Sequence, residues 1–214
     1  VEKSGIPAAW TLLGLSAMPT DHPLNVGMVG MHGNYGPNVL TNECDVLIAL
    51  GMRFDDRVTG NLATYAKQAK VIHFEIDSAE VDKNVKTTVA VLADLKESLT
   101  ALLPLIEKNS HESWHNEFKE KYKIELEAVI NDELKPKKEG ISMGETIEMI
   151  NKHSKGDAIM VSDVGQHQMF TCRYSKFNQT KSNITSGGLG TMGFALPAAI
   201  GAKMGMPDRE VVAI

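Results

Sequence analysis

A glycine-rich segment near the carboxyl terminus has the residue types and spacing that bring backbone close to a ligand. Its glycines, within residues 188–193, follow the pattern GxGxxG, and an alanine-rich run that predicts a helix comes next. In a dinucleotide fingerprint such glycines follow a buried strand, and an acid about 20 positions later binds the ribose. Here residues 181–185 are too polar and too short for a central strand, and Asp208 and Glu210 precede the next apolar run. We therefore predict a glycine turn that approaches a ligand but is not a dinucleotide fingerprint.

A second polar turn, SDVGQHQMF at residues 162–170, follows the apolar run AIMVS and predicts the start of a helix. Helix N-termini attract anions because their amide groups are free and the dipole is positive there. Gly165 permits close approach, and Gln166 and His167 add donors. This turn can hold a phosphate or diphosphate. Taken alone, it is equally well explained as a polar turn with a satisfied histidine.

A third motif, HExxH, is formed by His111, Glu112 and His115. In zinc proteases the two histidines bind metal and the glutamate acts as base. The flanking residues here are strongly charged, and no third histidine follows at the extended spacing. We favour a solvated polar face, and bound zinc in elemental analysis would support the alternative of a zinc protease.

Composition limits the class of protein. The 214 residues can form one large or two small domains, and 43% hydrophobic and 23% charged residues are ordinary for a globular protein. A net charge of -5 argues against nucleic-acid binding. Cys44 and Cys172 are isolated, and no apolar run approaches the ~20 residues of a membrane span. We expect a cytoplasmic-type protein that binds neither nucleic acid nor membrane.

Short apolar runs alternate with helical stretches in the first half, which predicts an α/β fold with a doubly wound parallel sheet. The expected strands span residues 7–10, 25–29, 46–50 and 71–75, and the expected helices span 38–43 and 94–107, the latter broken near Pro104. The turns that follow these strands are GMHG, GMRFDDR and FEID. Such turns converge at the carboxyl edge of the sheet, where ligands bind.

The second half begins after an amphipathic helix expected over residues 112–134 and a linker, LKPKKEG, at residues 134–140. Ser142 and Glu145 have capping-box spacing and predict a helix to Lys152, followed by the strand AIMVS. We expect domains at residues 1–108 and 141–214, with a helix and linker at 109–140. The chain begins without Met and stops inside VVAI, so we interpret it as an internal fragment that lacks the first strand of its first domain and the end of its second.

SDVGQHQM, followed by ITSGGLGTMGFALPAAIGA, resembles the start of the cofactor domain of thiamine-diphosphate enzymes. GMHG, ALGMRFDDRVTG and HFEID narrow the resemblance to the catalytic (large) subunits of acetolactate synthase, also called acetohydroxyacid synthase. The resemblance covers essentially the whole chain. It implies a central FAD-binding domain followed by the first part of the thiamine pyrophosphate domain.

The resemblance also assigns roles to residues. Backbone at Gly190 and Met192 is expected to bind the aminopyrimidine of thiamine diphosphate, with the Met192 side chain holding the cofactor bent. Gly165, Gln166 and His167 are expected around the diphosphate. Met31 and Arg57 match positions that border the substrate channel, and Arg57 matches the arginine that receives the carboxylate of the second 2-keto acid. The positions that match flavin contacts are Thr11, Leu12, Gly30, Met31, His32, Gly51, Arg53, Asp55, Arg57, Glu75, Ile76 and Asp94.

Physical reasoning supports part of this assignment independently. Glu75 is placed at the end of a strand, where a ribose-binding acid belongs. For the charged residues 53–57 an exposed ion-pair cluster is the alternative. The chain departs from the family pattern at Ala195 and Ala93, where many members have glycine, and the alanine methyl at position 93 makes the flavin contact at Asp94 less secure.

The resemblance implies decarboxylation of pyruvate and ligation of the two-carbon unit to pyruvate or 2-oxobutyrate, in branched-chain amino-acid biosynthesis. Thiamine diphosphate, Mg²⁺ and a largely structural FAD are the implied cofactors. A homo-oligomer and a small regulatory subunit are the implied partners. No catalytic residue is expected within the chain, because the activating glutamate belongs to an N-terminal domain of a partner subunit.

Metal ligands are likewise expected beyond Ile214. We therefore expect the isolated chain to be inactive and to bind thiamine diphosphate and FAD weakly. Two alternatives remain open. One is a related thiamine enzyme of the glyoxylate carboligase or pyruvate oxidase type, and the other is a non-catalytic nucleotide-binding module.

Overall fold

A computed structural model gives the fold and describes residues 1–136 and 139–214. Every strand pairing in those ranges is parallel, which confirms the expected α/β class. Lys137 and Lys138, within the predicted linker, lie outside the described residues. In the described part of the chain, no helix has the length and hydropathy needed to cross a membrane.

The first unit has five strands. They are β1 (Ala8–Trp10), β2 (Asn25–Met28), β3 (Val46–Leu50), β4 (Lys70–Glu75) and β5 (Val89–Leu92). Four of them agree with the predicted strands to within one residue, and the sequence analysis does not predict β5. The strands are divided between two sheets, β1-β2 and β3-β4-β5, instead of forming one. The β1-β2 ladder skips a residue before Gly27, whose φ is +107°, so a bulge keeps this ladder short.

The helices of the first unit are α1 (Tyr35–Glu43), α2 (Asp56–Thr59) and α3 (Leu95–Leu102). The predicted start of α1 at residue 38 is three residues late, because the sequence offers no apolar periodicity in its first turn. The prediction of a helix to residue 107 is also wrong. The α-helical part stops at Leu102, and Pro104 follows within a 3₁₀ turn, since proline cannot donate the next helical hydrogen bond.

A continuous helical segment connects the two units over the predicted residues 112–134. It consists of α4 (Glu112–Glu125), a π-helical stretch (Leu126–Ile130) and α5 (Asn131–Leu134). The predicted apolar stripe of Trp114, Phe118, Tyr122, Leu126 and Ile130 packs only in part, because Tyr122 is 51% exposed. Trp114 and Phe118 meet edge to face at 5.6 Å, and Ile130 is buried among core residues of the second unit.

The second unit contains α6 (Met143–Ser154), β6 (Ile159–Ser162), α7 (Gln166–Tyr174), β7 (Asn183–Thr185), α8 (Ala195–Gly205) and β8 (Val211–Ala213). The predicted capping box is confirmed, because the Ser142 side chain accepts from the Glu145 amide and the Glu145 side chain accepts from the Ser142 amide. The sheet order is β7-β6-β8, with β6 buried along its whole length. Residues 181–185 contain the strand β7 at the sheet edge, which agrees with the expectation that this stretch is not a central strand. Its three residues need only one partner, because β7 lies at the sheet edge.

A buried ion pair joins the two units. Arg173, in α7, contacts the carboxylate of Glu125 and donates a hydrogen bond from Nη1 to the Gly33 carbonyl, 3.1 Å away. The same carboxylate accepts from the Tyr35 amide at the start of α1, 3.0 Å away. The Glu125 side chain is only 4% exposed. This Glu125–Arg173 pair therefore ties the turn after β2 to helix α7.

Candidate functional site

Two turns leave the second sheet at the same edge. Strands β6 and β7 are parallel neighbours, and Ser162 pairs with Thr185 at their carboxyl ends. The diphosphate turn, residues 163–166, follows β6, and the glycine loop, residues 186–194, follows β7. Because ligands of open α/β sheets bind at this edge, both turns are in position to contact a single ligand.

The diphosphate turn ends at the start of α7. Gly165 has a φ of +152° and precedes Gln166, the first helical residue, so the free amides of the first turn are available to an anion. His167 folds back toward Gly165. A Cβ at position 165 would lie only 2.9 Å from the imidazole Cε1. His167 Nε2 is buried and has no hydrogen-bond partner among the described residues, which leaves a donor or acceptor free for a ligand.

The glycine loop has positive φ angles at two glycines and free space where side chains would lie. Gly190 has a φ of +62° and Gly193 a φ of +81°, and Cβ atoms at positions 188 and 193 would meet nothing within 4 Å. Within the loop, the Thr191 amide donates to Ser186 Oγ at 3.1 Å. Met192 is 82% exposed. Backbone and an apolar side chain are therefore both accessible on this loop.

Asp163 connects the two turns, and the sequence analysis assigns it no role. Its Oδ1 accepts from the Gly193 amide and its Oδ2 from the Ala195 amide, both at 2.9 Å. Oδ1 also accepts from the Val164 amide at 2.9 Å. Hydrogen bonds from the amides of Ala195, Val164 and Gly193 hold the pKa of the Asp163 carboxyl below its usual value. Only the fold could show this contact, because its partners are 30 and 32 residues away.

These turns fit thiamine diphosphate, the cofactor expected from the resemblance. The unpartnered His167 Nε2 and the free helix terminus suit the diphosphate, and the space above the glycines suits the ring. The expected residues Gly165, Gln166 and His167 lie on one turn, and Gly190 and Met192 lie on the other. The structure thus brings together the five positions expected for this cofactor.

The two substrate residues meet at the edge of the first unit. The Met31 amide donates to the Arg57 carbonyl at 2.7 Å, and both side chains are mostly exposed. Gly30, before Met31, has a φ of +109°, and a Cβ there would lie 3.0 Å from the Arg57 carbonyl oxygen. The Asn38 side chain accepts a hydrogen bond from the Gly30 amide and donates one to the Gly30 carbonyl. His32 follows in the same turn.

The turn after β3 contributes further expected flavin positions. Gly51 has a φ of +61° and open space at its Cβ position. Asp55 caps α2 by accepting from the Arg57 amide at 3.0 Å. Arg53 lies 3.9 Å from Asp55 in an exposed pair, which contributes little to stability and leaves the guanidinium free for an anion.

Thr11 and Leu12 lie beside the glycine loop. The Leu12 carbonyl accepts from Asn183 Nδ2 at 3.0 Å, and a Cβ at Gly187 would lie 3.2 Å from the Leu12 side chain. One expected flavin position of the first unit, Leu12, therefore adjoins the expected thiamine loop of the second.

The three remaining expected flavin positions, Glu75, Ile76 and Asp94, already make hydrogen bonds within the chain. The Glu75 carboxylate is nearly buried, and its Oε1 accepts from the amides of Ile76 and Asp77 at 2.9 and 3.2 Å. Glu75 Oε2 lies 3.7 Å from the wholly buried His73. Asp94 caps α3 by accepting from the Glu97 amide. The glycine turns and arginines thus suit a diphosphate-bearing ligand such as FAD, whereas Glu75 Oε1 already accepts two backbone hydrogen bonds.

The two histidines of the HExxH motif have structural positions at the start of helix α4. His115 Nε2 lies 2.8 Å from the Gly5 carbonyl oxygen, and His111 is the left-handed residue that precedes α4. Within residues 1–136 and 139–214, no group of three His, Cys, Asp or Glu side chains could hold a metal ion. Burial raises the pKa of the Cys172 thiol to about 12, so this cysteine is a protonated core residue.

Comparison with known proteins gives two family matches. A family model described as "Thiamine pyrophosphate enzyme, central domain" matches residues 1–102. Another, described as "Thiamine pyrophosphate enzyme, C-terminal TPP binding domain", matches residues 163–214. The second match begins at Asp163 and contains both turns.

The similar proteins reported next are all named acetolactate synthase. The acetolactate synthase large subunit of Lactococcus lactis is 46% identical over 213 residues, which is 99% of this chain and 36% of that protein. Acetolactate synthase 2, chloroplastic, of Nicotiana tabacum is 42% identical over 100% of the chain and 32% of its own length. The isozyme 3 large subunit of Escherichia coli is 39% identical over 100% of the chain and 38% of its own length. The chain thus spans about a third of the relatives it matches.

Proposed function

The chain belongs to the thiamine pyrophosphate enzyme family, and on that premise we propose that it serves as part of an acetolactate synthase catalytic subunit. The enzyme would be a transferase of EC class 2.2.1.6. Names of relatives between 39% and 46% identical support this choice within the family. The observation that carries the proposal is that two ligand-accessible turns leave the same edge of one parallel sheet, beside the buried His167 Nε2, which has no partner among the described residues.

In this proposal the chain binds and orients the reactants. The α7 N-terminus and His167 bind the diphosphate, and the backbone of Gly190 and Met192 holds the aminopyrimidine. When bound, thiamine diphosphate supplies the electron sink for decarboxylation of a 2-keto acid. The exposed Met192 side chain would hold the bound cofactor in its bent shape, the role that the resemblance implies.

Arg57 and Met31 form the substrate side of the proposed site. The Arg57 guanidinium is exposed and can form two parallel hydrogen bonds to the carboxylate of the second 2-keto acid, pyruvate or 2-oxobutyrate. Met31 lies beside it through the 2.7 Å backbone hydrogen bond and supplies an apolar wall. This pairing would orient the acceptor toward the thiamine site.

The remaining parts of the proposal are FAD, Mg²⁺, a homo-oligomer and a small regulatory subunit. The glycine turns and arginines of the first unit support FAD binding. The words "large subunit" in the names of two relatives support a smaller partner. Domain boundaries at residues 108 and 141, and a cytoplasmic location, stay predictions.

A chimeric enzyme tests the proposal. The 213 aligned residues of the Lactococcus lactis large subunit are replaced by this chain, and acetolactate formation from pyruvate is measured with thiamine diphosphate, Mg²⁺ and FAD. We expect activity within about tenfold of the unaltered enzyme, because the chain would supply the same binding residues.

A matched control and a competing outcome sharpen this experiment. The unaltered Lactococcus enzyme is assayed in parallel, and thiamine diphosphate binding to the chimera is measured by calorimetry. A folded chimera that binds thiamine diphosphate and ligates glyoxylate, but forms no acetolactate from pyruvate, would favour a glyoxylate carboligase. A folded chimera that does not bind the cofactor would contradict the proposal.

A further inference from the structure

We propose that Asp163 is a positioning residue that holds the glycine loop beside the diphosphate turn, so that one thiamine diphosphate molecule can be bound at both ends. The inference rests on the proposed function, because it concerns the same cofactor. It assigns a role to a residue that is not among the expected cofactor contacts.

First, helix α8 is capped at its start by Asp163. Phe194 occupies the N-cap position and makes no side-chain cap hydrogen bond. Asp163 supplies the cap from the neighbouring strand instead, because its two carboxylate oxygens accept from the amides of Gly193 and Ala195. A negative charge at a helix N-terminus is favourable, and a carboxylate is among the best caps. Helix α8 also packs on β6 through Ala195 and Ala199, so Asp163 adds a polar contact that joins the glycine loop and the start of α8 to the end of β6.

The second step concerns the alternatives to this contact. Within the glycine loop, the Ser186–Thr191 hydrogen bonds are internal and do not fix the loop to α7. Gln168 Nε2 donates to Thr185 Oγ1 at 2.7 Å, but Thr185 lies at the base of the loop. Gly193 has positive φ and no neighbour at its Cβ position, so steric contact there does not restrict the loop. Asp163 holds the far end of the loop.

The third step concerns charge. A carboxylate two residues before Gly165 would repel a diphosphate if its charge were unpaired. Three backbone amides surround the Asp163 oxygens and compensate that charge. The same amides lower the pKa of the carboxyl, so the side chain stays ionised at neutral pH and keeps accepting from both turns. The residue thus contributes geometry without direct contact with the anion.

Amide hydrogen exchange in the ligand-free chain tests the contact itself. In the unaltered protein we expect the amides of Gly193 and Ala195 to exchange at least tenfold more slowly than that of Met192, which takes no part in these bonds. Asp163→Asn should speed exchange at both positions about tenfold, and Asp163→Ala should do so more strongly. Equal exchange at all three amides in the unaltered chain would overturn the inference, even if the variants failed to fold.

Comparison of two ligands then tests the role. In the chimera, Asp163→Asn should weaken thiamine diphosphate binding at least fivefold and change inorganic pyrophosphate binding less than twofold. The substitution releases only the glycine loop, which is proposed to contact the aminopyrimidine ring, and leaves the diphosphate turn in place. Asp82→Asn is the matched control. Like Asp163, Asp82 accepts from a backbone amide, that of Thr87 at 2.7 Å, and hydrogen bonds lower its pKa, but it is exposed and lies in the first unit. It should alter neither ligand.

These outcomes separate the inference from the proposed function. If Asp163→Asn frees the two amides but weakens both ligands equally, or neither, Asp163 has no positioning role and the proposed function is unaffected. If the unaltered chimera binds pyrophosphate but shows no preference for thiamine diphosphate, the proposed function fails. The exchange result would then still report whether Asp163 holds the loop.

Discussion

At the scale of single residues, the glycine loop depends on backbone conformations that side chains disfavour. Gly190 has a φ of +62°, and its Cβ position is open apart from Val164 Cγ1 at 3.9 Å. An alanine there would meet no steric clash and would be penalised only by the left-handed backbone, about 1–2 kcal/mol. Gly188 lies in the same loop without a positive φ and with open space.

This difference between neighbouring glycines gives a prediction. Gly190→Ala in the chimera should weaken thiamine diphosphate binding about tenfold, since about 1.4 kcal/mol corresponds to a factor of ten. Gly188→Ala should change it less than twofold. Calorimetric titration measures both. Equal losses at the two positions would mean that ligand contact, and not backbone conformation, explains the need for glycine.

The residues expected to contact a ligand could be identified from the sequence more readily than the residue that joins the two turns. Gln166, His167 and the glycines stand in contiguous motifs, and the structure places them on two turns of one edge. Asp163 stands in the same motif, but its partners Gly193 and Ala195 become visible only when β6 and β7 pair. The Glu75 prediction rests on strand-end position alone, which does not reveal that its carboxylate turns back to the backbone.

At the scale of elements, the orientation of α7 relative to the first unit depends on the Glu125–Arg173 pair. Removing one partner of a buried ion pair leaves an unpaired charge and costs about 3–5 kcal/mol. An exposed pair in helix α4, Glu120 with Lys123, has side chains about two-thirds exposed, and such pairs contribute about 0–1 kcal/mol.

We therefore expect Arg173→Met to lower the free energy of unfolding by about 3 kcal/mol, and Lys123→Met to lower it by less than about 1 kcal/mol. Urea unfolding of the chain, followed by tryptophan fluorescence, measures both variants. A loss at Arg173 no larger than that at Lys123 would show that the pair does not hold the units together.

The elements themselves follow from the sequence where burial leaves a pattern. β3 and β6 are contiguous apolar runs, and residues 112–134 repeat with helical spacing, so their bounds are predicted to within a residue. β7 is polar because an edge strand need not be buried on both faces, and its sequence therefore gives no signal. The division of the first five strands into two sheets leaves no signal in the periodicity of the sequence.

At the scale of the whole molecule, the two units bring two expected cofactor sites together. The Leu12 carbonyl contacts Asn183 at the base of the glycine loop, and Arg173 contacts the Gly33 carbonyl after the Met31 turn. The proposed substrate residues and the proposed thiamine residues are thus parts of one connected structure.

The most direct test of the account is a ¹⁵N NMR titration of the 214-residue chain with thiamine diphosphate and Mg²⁺ up to millimolar concentration. We predict that the amides of residues 164–168 and 190–193 shift together and fit one dissociation constant, because a single molecule contacts both turns. Shifts in only one of these turns, shifts centred elsewhere in the chain, or no shifts at all would contradict a thiamine diphosphate site built from two loops at one sheet edge.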